Sequence, residues 1–598
     1  MEFFQKIQKT ETLLILFGLS FVVFGWFVFL LALFGLFLSP LVVIGTGLIG
    51  VIILFLGGKL LLQAPLDCKV ALLVVVFFAA FIGYFSEPTL FTGRDQGSIT
   101  EAAFHLVQNG QLAFSTKVSQ SFFQIYGVGT ALNFPGFAYT KAGDLITQFP
   151  LGYTAWLAGF ISLFGLLGLT IGNVILLFLF LFTLYNLLRL FVHPYYAFAG
   201  LGLALFSFLP TWFAKITLSE NLAVFLFTFL IFSLILFLRE GGFISYVSVL
   251  LSASLLAFTR IEGFAFLLLT LVIISFSQYG RNIWKTSPWK SLVLPCFFFI
   301  FIFLRDFFIN LPYYKMMGKA LLKFSHQLGG GDIASDLANS GSSFPLGSVF
   351  FLYGLLVLFM AGFFGILLFI KEKRPLLLLP AAIALPTFLY LFDPNISLDH
   401  PWMLRRFLFS LFPTLLFSAT VGLALLFDQE KILPIGRPQG KRLFFVSFLF
   451  LGLIAFQLPA WSYGIPFAEN RTLYEQTAAF SEEFSDTDLV LVDRNATGDG
   501  FSMLSGPAQF LFGKNMAYFF NPSDLEKLDT TPFRHTYLLV PEGDQGRYAS
   551  VFGNRLVLKK MITFSGERFE NVSLENGSPL HLPKKIPTAT RNLLFEIY

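Results

Sequence analysis

The stretch "TLLILFGLSFVVFGWFVFLLALFGLFL", residues 12–38, carries no ionisable side chain. The hydrocarbon core of a bilayer is about 30 Å thick, and a helix needs about 20 apolar residues to cross it. The run is too long for the core of a signal peptide, and no small-residue cleavage site follows it. We therefore expect these residues to stay in the chain as a transmembrane helix.

The rest of the chain has the same character. Of its 598 residues 56% are hydrophobic and only 13% are charged, and the mean hydropathy is +0.75. Soluble domains carry about 25% charged residues, so the composition predicts a polytopic α-helical membrane protein. The net charge of +5 is typical of Lys and Arg in cytoplasmic loops and does not indicate a nucleic-acid partner. Two cysteines, Cys68 and Cys296, form no motif.

Thirteen segments are apolar enough to be predicted as membrane spans. They are residues 12–38, 41–62, 69–86, 171–192, 195–213, 219–238, 243–258, 261–278, 291–308, 346–370, 376–391, 407–427 and 443–460. Whether a further apolar segment, 151–169, crosses the membrane is decided by the distribution of Lys and Arg among the loops that follow it. If it crossed the membrane, the loops richer in Lys and Arg would lie outside, against the positive-inside rule. We predict a surface-lying or half-inserted helix there.

Thirteen crossings predict a cytoplasmic N-terminus and an extracytoplasmic C-terminus in the cell membrane. Residues 1–68 then form two additional N-terminal helices before a membrane module at 69–460. Its large external loops are 87–170 and 309–345, and residues 461–598 form a soluble extracytoplasmic domain.

The C-terminal 138 residues change composition sharply after Trp461. The segment "ENRTLYEQTAAFSEEF" predicts an amphipathic helix, and "DLVLVD", "NMAYFF" and "HTYLLVP" predict short buried strands. Another strand is predicted at "RLVLKKMITFS". The pattern favours a small α/β or α+β domain, with no nucleophile elbow, phosphate-binding loop or metal cluster among its motifs.

Ionisable residues at membrane depth are costly and usually functional. Here they collect on the predicted external side in "RDQGSITEAAFH" (94–105), "KITLSEN" (215–221), "FTRIEGF" (258–264) and "SLDHPWMLRRF" (397–407), and the loop 309–345 adds two tyrosines and a "GGGD" turn. The candidate site residues are the acids Asp95, Glu101 and Glu220, the cations Arg260, Arg405 and Arg406, and the candidate substrate contacts Arg94, Lys215, Tyr313, Tyr314 and His400.

These residue types suit a definite chemistry. A buried carboxylate can act as a general base toward a hydroxyl, or ligate a divalent cation, so Asp95 and Glu220 are also candidate metal ligands. The adjacent Arg405 and Arg406 match the oxygens of a phosphate. Structural alternatives stay open. Asp95 and Glu220 can cap the N-termini of their helices, where a negative charge is favourable. Arg405 and Arg406 can anchor lipid headgroups, and Arg260 can form an ion pair with Glu262.

The order of these motifs resembles the GT-C superfamily of integral-membrane glycosyltransferases, which includes protein O-mannosyltransferases and lipid A aminoarabinose transferases. In "RDQGSITEAAFHLVQNGQL", Asp95 matches the leading acid of the first-loop motif, and Gln96 stands where a second acid is frequent. "QFPLGYTAWLAGF" is similar to the surface helix that follows, and Glu220 lies in a "TLSE"-like stretch. "LLAFTRIEGF" and "DHPWMLRRF" are similar to later segments of the superfamily and of uncharacterised bacterial members with a GRDxG loop. The resemblance covers residues 70–460.

The resemblance implies inverting transfer of a sugar from a polyprenyl-phosphate donor to an extracytoplasmic glycan, lipid or protein hydroxyl. Asp95, with Glu220 and Glu101 as further acids, would be catalytic. Arg405 and Arg406, with Arg260, would hold the donor phosphate. A ligase of lipid-linked glycans, a lipid-linked saccharide transporter and an inactive scaffold are the competing interpretations.

Overall fold

The structure is a computed structural model that describes residues 2–86, 90–328, 346–392, 399–427, 440–498, 500, 502–573 and 580–598. The "GGGD" turn of the sequence therefore lies outside the described residues.

The first part of the chain is almost entirely helical. Its helices are α1 Glu2–Leu33, α2 Ser39–Gln63, α3 Leu66–Tyr84, α4 Asp95–Asn109, α5 Lys117–Tyr126, α6 Leu151–Phe164, α7 Leu167–Arg189, α8 Pro194–Leu205, α9 Phe208–Phe213, α10 Ser219–Glu240, α11 Phe243–Ala257, α12 Glu262–Phe276, α13 Gln278–Thr286, α14 Leu294–Ile309, α15 Leu311–Leu328, α16 Leu346–Leu352, α17 Leu356–Lys371, α18 Pro375–Ala384, α19 Leu411–Phe427 and α20 Gly440–Gly464. Short 3₁₀ segments occupy Leu385–Leu391 and Trp402–Phe407, and three short strands, β1 Gly129–Thr130, β2 Phe137–Tyr139 and β3 Leu145–Thr147, form a small antiparallel sheet.

The polytopic helical architecture predicted from composition is confirmed, but the count of thirteen crossings is not. Among the described residues, 7 helices are long and apolar enough to cross a membrane, or up to 9 if each bent pair counts as one span. One such pair, α12 and α13, bends by 84°, and the other, α16 and α17, by 113°. The remaining predicted spans contain shorter apolar helices, which fall below the length of a straight crossing.

Helix α10 forms the centre of the helical bundle. Of the most apolar 18-residue stretch of α10, 94% is buried, and the helix packs against α7 and α11. Helix α2 lies at the other extreme, since only 6% of the corresponding stretch is buried and its apolar side chains face outward. This contrast is expected of a bundle whose periphery contacts lipid and whose centre contacts other helices.

The segment predicted to lie along the membrane surface forms α6. It has 14 residues, about 21 Å at 1.5 Å per residue, which is shorter than the hydrocarbon core. Residues Leu151 to Ile161 are all buried, because α6 packs against α1, α4 and α7. Protein surrounds most of α6, and its surface-lying or half-inserted position in the membrane stays a prediction.

Beyond α20, the chain forms the C-terminal region, defined here as residues 465–598. It contains α21 Leu473–Ser481, α22 Ser505–Phe512 and α23 Gln545–Phe552, and five strands that form one sheet: β5 Leu489–Asp493, β6 Asn515–Phe519, β7 Thr536–Pro541, β8 Leu556–Phe569 and β10 Lys585–Ile597. The strand order is β6-β5-β7-β10-β8. The first three strands are parallel and the last two join antiparallel, so the predicted α/β or α+β character is confirmed.

The C-terminal region is tied to the helical bundle through strand pairing. A two-stranded ladder joins β4, Asp399–His400, to β9, Val572–Ser573. A bridge also links Thr92 to Ser502, and the Met503 backbone N–H donates to the Phe91 carbonyl at 2.6 Å. The region therefore docks onto the two loops that carry the "RDQG" and "DHPWMLRR" motifs.

Candidate functional site

Charged side chains from four distant parts of the sequence meet at one end of the bundle. The Arg405 Nη1 atom lies 2.6 Å from Asp95 Oδ2 and 3.6 Å from Glu220 Oε1. Arg260 Nη1 lies 2.8 Å from the same Glu220 oxygen. We name Asp95, Glu220, Arg260, Glu262, Arg405 and Arg406 the arginine–carboxylate network.

Arg260 is held inside this network on all three of its nitrogens. Its Nε and Nη2 donate to the two oxygens of Glu262 at 3.2 and 2.9 Å, and its Nη1 pairs with Glu220. Glu262 has two further partners. Arg406 Nη1 lies 3.6 Å from its carboxylate, and the Tyr390 hydroxyl donates a hydrogen bond to that carboxylate. The predicted Arg260–Glu262 pair therefore exists, and its geometry favours Arg260 as a counter-ion rather than as a ligand for a substrate.

Exposure differs sharply among the three acids of the network. The side chain of Glu220 is 0% exposed and that of Glu262 is 8% exposed, whereas that of Asp95 is 35% exposed. Buried charges are tolerated only when opposite charges and hydrogen bonds compensate them. Glu220 and Glu262 fit that structural role, and Asp95 is the network carboxylate that an incoming hydroxyl can reach.

The position of Asp95 follows from the local sequence. Helix α4 begins at Asp95, and a Cβ at Gly97 would lie 1.8 Å from the Thr92 carbonyl oxygen, so only glycine allows the chain to turn this tightly. The Thr217 hydroxyl donates to the Gln96 carbonyl at 3.0 Å. This bond fastens the start of α4 to the start of α10, which carries Glu220.

Arg405 and Arg406 keep donor capacity for a ligand. Among the described residues, the Nε atoms of both guanidinium groups are buried without a hydrogen-bond partner. Arg405 also lies over the Trp402 ring at 4.2 Å, and Arg406 over the Tyr390 ring at 5.5 Å. The aromatic rings hold the two groups in place while leaving N–H donors for an anion such as a phosphate.

Three of the predicted residues lie away from the network. Glu101 pairs with His105 at 3.7 Å and faces Gly506 of the C-terminal region. Lys215 donates to three carbonyls of the chain that leaves α20, and the Tyr314 hydroxyl donates to Asp306 at 2.5 Å. These contacts give each side chain a structural role.

The other candidate contacts lie next to the network. Tyr313 is buried, its pKa is raised by burial, and Glu262 and Arg260 act on it electrostatically. Arg94 pairs with Asp399 at 2.7 Å and donates to Asn571 Oδ1 at 3.1 Å. His400 is buried, and its Nδ1 lies 2.9 Å from the Tyr353 hydroxyl.

The residues of the C-terminal region that reach this site did not emerge from the sequence. Asn571 contacts Arg94, and Glu469, Arg568 and Glu570 line a cavity beside it. None of these residues lies beside an apolar span, which was the signal that selected the candidate residues. The Arg94–Asn571 hydrogen bond and the Thr92–Ser502 bridge bring the C-terminal region to the "RDQG" loop, and the pairing of β4 with β9 joins it to the "DHPW" segment.

The candidate divalent cation at Asp95 and Glu220 does not fit this geometry. Both carboxylates already face the Arg405 guanidinium, which would repel a metal ion between them. Among the described residues, no group of three or more His, Cys, Asp or Glu side chains could hold a metal. The pairing with Arg405 therefore leaves Asp95 and Glu220 unsuited to share a metal ion.

The environment of His400 gives a pH prediction. Burial lowers its pKa from 6.5 to about 4, so between these values the unfolded chain binds a proton that the folded chain does not. The free energy of unfolding should therefore fall as the pH drops from 6.5 to 4, by up to about 3 kcal/mol. His400→Asn removes the titrating group, and thermal unfolding in detergent across this pH range should show a weaker dependence in the variant. Equal pH dependences would contradict the prediction.

The sequence matches no protein-family model and no curated protein. The structure is similar to that of ArnT from Cupriavidus metallidurans. In the apo state of that protein the TM-score is 0.45 at 10% identity, covering 87% of this chain and 97% of the other. In its complex with undecaprenyl phosphate the TM-score is 0.43 at 10% identity, covering 88% and 97%.

Proposed function

We propose that this protein is a membrane glycosyltransferase that moves a sugar, with inversion, from a polyprenyl-phosphate donor to a hydroxyl at the extracytoplasmic face. The contact between Asp95 Oδ2 and Arg405 Nη1, at 2.6 Å, carries the proposal. This ion pair supports the proposal because a partly exposed carboxylate, proposed as the base, and a guanidinium, proposed to bind phosphate, lie side by side. The C-terminal region would then be extracytoplasmic and the N-terminus cytoplasmic.

The donor half of the reaction rests on the two adjacent arginines. When the bond between the sugar C1 atom and the phosphate oxygen breaks, negative charge grows on the leaving polyprenyl phosphate. Fixed guanidinium donors lower the energy of that developing charge. The unpartnered Nε atoms of Arg405 and Arg406 are suited to this role, and the apolar bundle beside them suits a prenyl chain.

The acceptor half rests on Asp95. Attack by a hydroxyl oxygen on C1, opposite to the leaving phosphate, inverts the anomeric centre, and the hydroxyl proton passes to a carboxylate. Once Asp95 is protonated, its attraction for Arg405 weakens, and the Arg405 guanidinium is released toward the phosphate. Glu220 and Glu262 keep the arginines compensated throughout.

A donor-consumption assay tests the proposal. The full chain in lipid nanodiscs is incubated with undecaprenyl-phosphate sugars that carry a radiolabelled sugar, together with bacterial envelope glycolipids and glycans as acceptors. We expect release of undecaprenyl phosphate and label in an acceptor. A transporter would move the donor without consuming it, and a ligase would transfer preassembled glycans but not single sugars. Full turnover by Asp95→Asn would contradict the proposal.

Donor affinity provides a separate prediction. Arg405→Ala removes charge-assisted hydrogen bonds to phosphate, so we expect the Kd for undecaprenyl phosphate to rise about 10- to 100-fold. Native mass spectrometry of the detergent-solubilised protein measures it. Arg305→Ala is the matched control, because Arg305 is an exposed arginine over the Phe34 ring, outside the network. Equal losses in the two variants would show that Arg405 does not hold the phosphate.

A further inference from the structure

A cavity of about 100 Å³ lies between the helical bundle and the C-terminal region, and its lining residue Trp402 contacts Arg405 of the arginine–carboxylate network. Trp212 and Trp402 contribute aromatic surface from the bundle, and Phe569 contributes it from β8. Arg94 and Gln96, on either side of Asp95 in the sequence, both line it. A molecule in the cavity would therefore contact the two residues that flank the proposed base in the chain.

Two polar side chains of this cavity have unused hydrogen-bonding atoms. Gln96 is 7% exposed and His400 is 1% exposed. Within the described part of the chain, Gln96 Oε1 and His400 Nε2 are buried without a hydrogen-bond partner. Buried polar atoms are nearly always paired in folded proteins, because leaving them unpaired is costly. Both atoms are therefore suited to hydrogen-bonding a ligand that enters the cavity.

The charges of the cavity disfavour an anion. Arg94 is neutralised by Asp399, with 2.7 Å between them, and His400 is neutral because burial lowers its pKa. The C-terminal region adds Arg568 but also Glu469 and Glu570. The balance is neutral to negative, unlike the side of the network where Arg405 and Arg406 have spare donors. A phosphate or a carboxylate would be repelled here, whereas a neutral hydroxyl-rich molecule would not.

Aromatic side chains combined with planar polar side chains suit a sugar ring. Its C–H face packs on an indole or phenyl ring, and its hydroxyls both donate and accept hydrogen bonds with carboxylate, amide and imidazole groups. A lipid acyl chain would leave these polar groups unpaired, and such mismatches are penalised strongly.

We infer that this cavity binds the acceptor and that the acceptor is a neutral carbohydrate rather than a lipid or protein hydroxyl. The inference rests on the proposed function and names the substrate class of the same site. The C-terminal region then serves as one wall of the acceptor site, through Glu469, Arg568 and Glu570.

A binding experiment tests this with fluorescently labelled neutral trisaccharides of glucose, mannose, galactose and N-acetylglucosamine. Fluorescence anisotropy is measured on the full chain in nanodiscs, without donor. We expect at least one trisaccharide to bind. The Kd should rise about tenfold or more in Gln96→Met, which keeps the side-chain length and removes the Oε1 acceptor.

Two substitutions of His400 separate ligand binding from structural support. His400→Asn keeps a polar atom near the Nδ1 position, which faces the Tyr353 hydroxyl, and removes the Nε2 atom. His400→Gln keeps a polar atom near the Nε2 position, which is proposed to contact the ligand. We expect His400→Asn to weaken binding about tenfold or more and His400→Gln to weaken it less. Gln120→Met, the same chemical change on the exposed face of α5, should leave the Kd unchanged.

The outcomes distinguish this inference from the proposed function. If none of the trisaccharides binds, or if binding is indifferent to both Gln96→Met and His400→Asn, the inference is wrong. Tighter binding of phosphorylated trisaccharides than of neutral ones also overturns it. Undecaprenyl phosphate binding that depends on Arg405 reports the donor site independently. Saccharide binding without any donor consumption would instead overturn the proposed function.

Discussion

Asp95→Asn is expected to lower the rate of sugar transfer by about 100- to 10,000-fold, the range typical for loss of a general base. The amide is nearly isosteric with the carboxylate but cannot accept the proton of the acceptor hydroxyl. The substitution should leave the protein folded, since 35% of the Asp95 side chain is exposed and Glu220 still compensates Arg405. Single-turnover transfer from a radiolabelled donor measures the chemical step directly.

Glu101→Gln is the matched comparison, because Glu101 lies on the same helix, α4, and also loses one carboxylate charge. Its contacts with His105 and the C-terminal region place it outside the network, so we expect a much smaller loss of rate. Similar losses in both variants would mean that α4 acts through its stability or its overall charge, and the assignment of the base to Asp95 would be wrong.

Glu220→Gln is expected to lower the free energy of unfolding by about 3–5 kcal/mol, the cost of removing one partner from a buried ion pair. Glu220 is fully buried between Arg260 and Arg405, which lie 2.8 and 3.6 Å from its Oε1 atom. With a neutral amide in its place, the two guanidinium groups repel each other with less compensation. Heating in detergent, followed by size-exclusion chromatography of the remaining folded protein, measures the loss.

A surface ion pair gives the control for this stability prediction. Asp486 is 79% exposed and pairs with Lys514, so Asp486→Asn should cost no more than about 1 kcal/mol. If Glu220→Gln melted at the same temperature as the unmodified protein, Glu220 would not hold the network together.

The elements of this fold could be predicted from the sequence because their signals are local. Apolar runs of about 20 residues predict membrane helices, and each of the thirteen predicted segments contains helix in the structure. The strands at Leu489–Asp493, Asn515–Phe519 and Thr536–Pro541 follow from short apolar runs between turns. Their lengths and bends were not predictable, since the 113° turn between α16 and α17 depends on packing against neighbouring helices.

The candidate site could be predicted in part. Rare charges at membrane depth identified Asp95, Glu220, Arg260, Arg405 and Arg406, because desolvation makes such residues unusual without a function. The same signal also selected Glu101 and Lys215, whose partners lie elsewhere. A charge in the sequence shows that a partner is needed and does not show which partner is present.

What the sequence by itself determined is therefore the class of protein, most of its helices and the set of charges that had to be compensated. Only the tertiary structure decided how those charges pair, that Asp95 stays partly exposed while Glu220 does not, and that β9 pairs with β4. The physical reason is the sequence separation over which each kind of interaction acts. Hydropathy and turn signals act between neighbours in the chain, whereas ion pairs, burial and strand pairing join residues hundreds of positions apart, and these form only when the bundle and the C-terminal region pack together.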